Sequence, residues 1–250
     1  MKRLFLKISI ILAAFAVGDN LNAQDDLGYN DEKLNLSLDV ASSFVWRGLS
    51  LNSSPVVQPA ITFTPGRFSF GAWASTAFTP GEFQEFDLFI NFQITPSLSI
   101  EFINYFEREY SFWGYDSYFN YKKEETAHTF DLQLIYEGAG GLKAIVSTII
   151  AGNDLNYDPK SMKYKNNFST YLELGYANTD GKIDWEIFMG FVPNAQSDYY
   201  GIDGAAFINL GLGVSKNFEI TPTYSLPLSL KLSVNPAYEQ VFLVASIALF

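Results

Sequence analysis

The sequence predicts an all-β protein, a single closed antiparallel up-and-down transmembrane β-barrel of about twelve strands occupying residues 34–250. Three observations predict it. Segments of roughly nine to fourteen residues alternate apolar and polar side chains along most of the chain, the period of a strand with two unlike faces. The links between them alternate short and long, as they do in a barrel whose two ends face different compartments. Aromatics are as abundant as charges, at 17% each, with 23 Phe and 15 Tyr, which suits a wall that meets lipid rather than water.

Taken in order, the chain opens with Lys2, Arg3 and Lys7, an apolar run from Ile8 to Val17, and Asn20 to Ala23 before Gln24. This is the layout of a secretory signal peptide over 1–23, with an apolar core too short to span a bilayer as a helix. Residues 24–33 form a polar leader. Cleavage after Ala23 removes three bases and Asp19, leaving the exported chain near −13.

The first strand is expected over Leu34 to Arg47, with Leu34, Leu36, Leu38, Val40, Phe44 and Trp46 on one face. Val56 to Thr64 and Phe68 to Ala77 follow, joined by Pro65-Gly66. Glu85 to Thr95 turns at Pro96-Ser97 into Leu98 to Glu107, and Thr129 to Tyr136 turns through Gly138 to Gly141 into Leu142 to Ala151. Phe168 to Tyr176 turns through Asn178 to Gly181 into Ile183 to Val192. Ala205 to Ser215 is expected to reach Thr223 to Val234 by a link over 216–222. The last segment, Gln240 to Phe250, is uncharged, has the length of a tilted membrane strand, and ends on Phe250, which is expected to serve as an assembly signal because it resembles the terminal aromatic of bacterial outer-membrane barrels. Aromatics near the short turns (Phe63, Phe68, Tyr136, Tyr176, Trp185) and near the long loops (Phe44, Trp46, Phe78, Phe86, Phe106, Phe130, Phe168, Phe191) read as two interfacial girdles.

A net charge of −11 argues against nucleic acid as a partner, because phosphates need a Lys/Arg footprint. The chain has no Cys, which removes disulfides, thiolate metal sites and a lipidated N-terminus. Nothing in the sequence calls for a cofactor or a catalytic constellation. The single histidine, His128, has no nucleophile elbow beside it. Asp154, Asn156 and Asp158 repeat the opening of a calcium loop, but Pro159 and Lys165 stand where glycine and glutamate are needed. Asp184 and Glu186 share a strand face, which a channel explains without glycosidase chemistry.

With the strands in place, Trp46-Arg47-Gly48-Leu49-Ser50, Pro55, Gln58 and Gly71-Ala72-Trp73-Ala74-Ser75 resemble the amino-terminal signature of the TorF-like porin family of bacterial outer-membrane proteins. The resemblance covers about the first third of the exported chain. It implies an outer-membrane barrel with a pore role, and it supplies neither a substrate nor site residues.

By alternation the interior is expected to hold Asp39, Glu85, Asp87, Glu101, Glu107, Asp131, Glu173, Asp184 and Glu186 against Arg47, Arg67, Lys143, Lys182 and Lys231. An acidic lining biases a pore toward cations. Arg47 is expected at the end of the first strand, where it can pair with a carboxylate at the mouth. Trp73, Phe89, Ile103, Tyr105, Ile145, Ile149, Tyr171, Phe188 and Phe207 share the inward face, so the lumen is expected to be narrow. The function expected is a passive pore for small solutes with a mild cation preference, surrounded by outer-membrane lipid and delivered by the barrel-assembly machinery through its C-terminal strand. The alternative is a non-conducting barrel with a structural or loop-mediated binding role.

Overall fold

The computed structural model describes residues 33–108, 110–111, 114–115, 117–179 and 181–250; the expected signal peptide and most of the leader lie outside the described residues. Twelve strands form the wall: β1 (Lys33–Ala41), β4 (Val56–Thr64), β5 (Phe68–Ala77), β6 (Gln84–Thr95), β7 (Leu98–Arg108), β10 (His128–Glu137), β11 (Leu142–Gly152), β14 (Thr170–Asn178), β15 (Asp184–Val192), β18 (Ala206–Thr221), β19 (Tyr224–Asn235) and β20 (Gln240–Ala248). They pair antiparallel, each with its sequence neighbour, and β20 returns to β1 to close the ring. Closure joins the first strand to the last, so no strand of the ring is left as a free sheet edge along its whole length. Four two-stranded ribbons belong to the long loops: β2 (Phe44–Trp46) with β3 (Leu49–Asn52), β8 (Tyr110–Ser111) with β9 (Gly114–Tyr115), β12 (Leu155–Asp158) with β13 (Lys163–Asn166), and β16 (Gln196–Ser197) with β17 (Ile202–Asp203).

The period-two pattern becomes a wall with unlike faces. Leu34, Leu36, Phe70, Leu88, Leu134, Leu174, Ile187, Leu212 and Leu243 are exposed on the outside. Their neighbours one residue along, such as Ser37, Asp39, Ser75, Glu85, Asp87, Gln133 and Ser147, are buried inside. Polarity is therefore reversed relative to a water-soluble protein. The seam is narrow: β1 and β20 share the pairs Asp39–Ala248, Val40–Ile247 and Ala41–Ser246. Three backbone bonds extend it, from Leu38 N to Phe250 O at 3.0 Å, from Leu249 N to Leu38 O at 2.8 Å and from Ser42 N to Ala245 O at 2.8 Å.

Three departures from the alternation have physical causes. The first strand does not run to Arg47: it ends at Ala41, the chain bends at Ser42 and Ser43, and Phe44 to Asn52 doubles back as the β2–β3 hairpin. Phe44 and Trp46 accordingly leave the girdle and pack inside, Phe44 against Trp73 at 5.4 Å between ring centroids. Phe207, expected inside, lies outside beside Phe191 at 5.0 Å. A bulge accounts for this, because β15–β18 pairing steps from Gly190–Asn209 to Phe191–Phe207 and leaves Ile208 as the extra, buried residue. Finally, the link expected over 216–222 is strand: β18 continues to Thr221 and pairs with Tyr224 across a two-residue turn. The continuation keeps Phe218 outward, with the Lys216 ammonium 5.1 Å from its ring, so that last turn of wall stays amphipathic.

A plugged lumen beneath an acidic cup

The signature residues build the interior at the long-loop end. Trp46 and Leu49 close a two-residue turn whose central residues, Arg47 and Gly48, both take positive φ, at 48° and 77°. Such a turn follows the natural twist of a hairpin but costs a non-glycine residue. Glycine is required at the second position, because a Cβ there would run into the backbone carbonyl of Ile208. The tip is also tied to β19, two strands along the ring from β1, by the buried Asn235, which donates to Gly48 O at 2.9 Å.

The hairpin thereby carries Arg47 across the lumen. Its Nη2 meets Asp131 Oδ2 at 3.2 Å and its Nη1 donates to the Tyr200 hydroxyl at 2.6 Å. The guanidinium lies over the rings of Trp46 and Tyr171, at 4.4 and 4.6 Å. Asp131 is fully buried and accepts further bonds from Ser147 Oγ (2.7 Å), Gln133 Nε2 (2.9 Å) and the Tyr105 hydroxyl (3.2 Å). Trp46 stacks on Tyr200 at 5.9 Å, and Tyr199 reaches from the same loop to donate to Glu107 at 2.7 Å. Residues from four wall strands and two loops thus gather around one guanidinium inside the lumen. The expectation that Arg47 pairs with a carboxylate holds, but the partner is across the barrel rather than at the mouth.

Below this knot, Asn209 donates to the Tyr171 hydroxyl (3.0 Å) and to Glu173 (3.1 Å) while accepting from Ser233 (2.7 Å). Lys231 lies 4.7 Å from the ring of Phe188. That ring fills the space opposite Gly211, where any Cβ would collide with it. The cavity left nearby, between Lys143, Glu173, Glu186 and Phe188, is only about 30 Å³, roughly a single water.

Of the expected interior charges, all nine acids point inward along with Arg47, Lys143 and Lys231. Arg67 and Lys182 do not: they are exposed at the short-turn end, where strand pairing has given out. Arg67 donates to Ile94 O and lies 5.5 Å from the Phe92 ring. The interior is therefore more acidic than alternation alone predicts.

Above the knot is a cup of about 680 Å³, lined by Glu107, Glu124, Glu125, Asp154 and Asp198 together with Trp46, Phe83, Tyr164 and Tyr199. Among the described residues its lining contains no Lys or Arg. Of these, strand alternation and loop motifs point only to Glu107, Asp154 and Trp46, since the others come from loops whose fold has no periodicity to read. The calcium-loop resemblance dissolves here. Asp154 turns to Ser169, accepting from its N at 2.8 Å and its Oγ at 2.7 Å, and burial raises its carboxyl above the ordinary range. Asp158 instead holds Lys165 at 2.5 Å and caps the Lys160 and Ser161 amides, and those bonds pull it below that range. Among the described residues no three metal-ligating side chains converge.

His128 faces outward at the start of β10, fully buried beneath the loop that precedes it. Its Nδ1 pairs with Asn104 Oδ1 at 2.9 Å and its Nε2 with Tyr118 O at 2.6 Å, and Tyr121 stacks on it at 4.4 Å. It anchors that loop to the outer wall.

No family model and no curated protein matches this chain. Among solved structures, a mutant ferric enterobactin receptor of Pseudomonas aeruginosa in complex with enterobactin is similar at 12% identity and a TM-score of 0.24, over 86% of this chain and 42% of the receptor. The chain thus spans less than half of that receptor's length, and enterobactin is a ligand of the receptor.

Proposed function

We propose that the chain is an outer-membrane β-barrel that admits small solutes through a narrow, cation-preferring lumen, held closed at its outer end by the Arg47 hairpin at rest. The observation that carries it is the reversed polarity of the closed wall, with aliphatic and aromatic side chains outside and carboxylates inside. Hydrocarbon tolerates such a wall because its first strand pairs with its last. The resemblance of Trp46-Arg47-Gly48-Leu49-Ser50 to TorF-like porins points the same way. The nine inward acids against three inward bases support the cation preference.

Two measurements test it. Purified protein in planar bilayers gives small conductance steps whose reversal potential under a salt gradient lies on the cation side; anion selectivity sinks the preference. Leu243→Lys, outward and 67% exposed, costs about 2–4 kcal/mol if that face meets the bilayer midplane, but under about 0.5 kcal/mol if it meets water. A second reading, a non-conducting barrel that works through its loops, draws on the complete satisfaction of Asp131 by the knot. Silence of both the wild type and an Arg47→Ala variant in bilayers selects it.

A further inference from the structure

The plug is a piece of the wall's own first hairpin. β1 pairs with β4 as far as Ala41–Val56, and β2 pairs with β3 from Phe44–Asn52 to Trp46–Leu49, so 33–64 is one long hairpin bent inward at Ser42-Ser43 on one arm and at Ser53 to Pro55 on the other. Where the outgoing arm leaves the wall, it leaves β20 behind. The seam stops at Ser42 and Ala245, where Ser42 N donates to Ala245 O at 2.8 Å and Ala245 N donates to Ser42 Oγ at 3.0 Å. From there up to Gln240, β20 is paired with β19 on its other edge, and no strand among the described residues pairs with the edge that β1 has left. Peptide groups alternate along a strand, so those of Leu243 and Val241 point the same way as those of Ala245, toward the missing arm. Their side chains, 67% and 65% exposed, are the most exposed large apolar ones among the described wall-strand residues.

The register of the seam says which residues fit that edge. Val40 faces Ile247; continued at the same step, Phe44 faces Leu243 and Trp46 faces Val241. In that position Phe44 and Trp46 keep the outward phase of Leu34 and Leu36, and Ser43, Val45 and Arg47 face inward, which is the alternation the sequence carries unbroken through the bend. We propose that the first hairpin is a two-position gate. Its tip lies on Asp131 and Tyr200 in the closed position, and it swings about the serine joints into the wall in the open one, where Phe44 to Arg47 pairs with Gln240 to Leu243 and clears the lumen. This rests on the pore reading and supplies its gate. Each position has its own compensation. Closed, the hairpin holds the Arg47–Asp131 pair, the Asn235 bond to Gly48 O and the Phe44–Trp73 contact. Open, it supplies ladder partners to an edge that hydrocarbon cannot satisfy and turns two aromatics toward the lipid interface. Asp131 still keeps Ser147, Gln133 and Tyr105 when the guanidinium leaves.

The chain has no Cys, so paired cysteines report the swing. In the folded full-length barrel in vesicles, Trp46→Cys/Val241→Cys is expected to form an intramolecular disulfide under mild oxidation, since cross-strand neighbours lie within disulfide range. In the closed position Trp46 is stacked on Tyr200 in the lumen and Val241 faces outward, so the two cannot meet. Trp46→Cys/Leu212→Cys, with its second thiol outward on β18, is expected to form none. Asp131→Asn added to the first pair removes the guanidinium's charged partner and raises the oxidation rate at least about tenfold. In planar bilayers the oxidised barrel gives larger steps than the same preparation after dithiothreitol. No disulfide in the first pair, or as much in the control pair, overturns the swing; equal conductance before and after reduction overturns the gate. Should Trp46→Cys not show heat-modifiable gel migration, Trp73→Phe/Trp113→Phe/Trp185→Phe leaves Trp46 as the sole tryptophan. Lipid brominated along its acyl chains then quenches Trp46 more strongly after Asp131→Asn, and no difference overturns the swing. Silence of both redox forms overturns the pore reading and the gate together, whereas a conducting barrel without the disulfide overturns the gate alone.

Discussion

Asp131 and the Glu85–Asp87 pair are acids of the same interior, and they are treated oppositely. Asp131 receives a guanidinium, two hydroxyls and an amide, brought together from four segments of the chain. Glu85 and Asp87 each keep a buried oxygen with no partner. The contrast teaches that burial alone does not say what a carboxylate is for. Asp131 organises the groups around it, whereas Glu85 and Asp87 crowd a third acid, Glu107, across the β6–β7 pair.

The largest effect that sharpens this contrast is expected from Arg47→Ala, which leaves Asp131 buried and uncompensated. It costs about 3–5 kcal/mol, read as a lower temperature of heat-modifiable gel migration, and an Arg47→Ala/Asp131→Ala double variant recovers part of the loss. Gly48→Ala comes next. A Cβ at positive φ against the Ile208 carbonyl costs about 1–3 kcal/mol and lifts the hairpin tip, read as raised protease sensitivity of the loop. Glu85→Gln breaks the comparison if Glu85 is structural after all: the expectation is no loss, or a gain of up to about 1 kcal/mol, because a like-charge opposition disappears. A loss equal to that of Arg47→Ala would place Glu85 in the same class as Asp131.

The smallest effect concerns pH in the loop bearing Asp154 and Asp158. With its folded-state pKa lowered, Asp158 stabilises the β12–β13 hairpin above the ordinary carboxylate range, and that contribution fades as pH falls through the lowered value. Asp154 is shifted the other way by burial, so its cost is present at neutral pH and is relieved as pH falls through its raised pKa. Carboxylate NMR is expected to resolve the two on opposite sides of about 3.9.

Much of the wall was legible because strand side chains repeat every two residues and because the turns use Pro, Gly, Asn and Asp in plain view. The number of wall strands, their order and the direction of nearly every side chain on them follow from that. The plug was not legible for the same reason. Phe44 and Trp46 continue the alternation of β1, so the bend at Ser42 and Ser43 hides behind an unbroken pattern. Arg47 finds Asp131 across 84 residues of sequence, and no local signal announces such a contact. The flank of Arg47-Gly48, with Val45 and Trp46 before it and Leu49 and Leu51 after it, did carry a hairpin signature. Ile208 shows the remaining blind spot: one inserted residue flips Phe207 outward, and nothing in the composition of β18 marks where the insertion falls.

The seam between β1 and β20 has a kinetic consequence. Leu38 is held by Leu249 and Phe250, residues at the far end of the sequence from it, whereas every other junction in the wall joins segments adjacent in sequence. Loop-closure entropy makes that junction the slowest to form, so hairpins can accumulate early while the ring waits. During that wait two bare edges face each other, and whatever holds them apart from foreign strands governs how much chain reaches its finished shape.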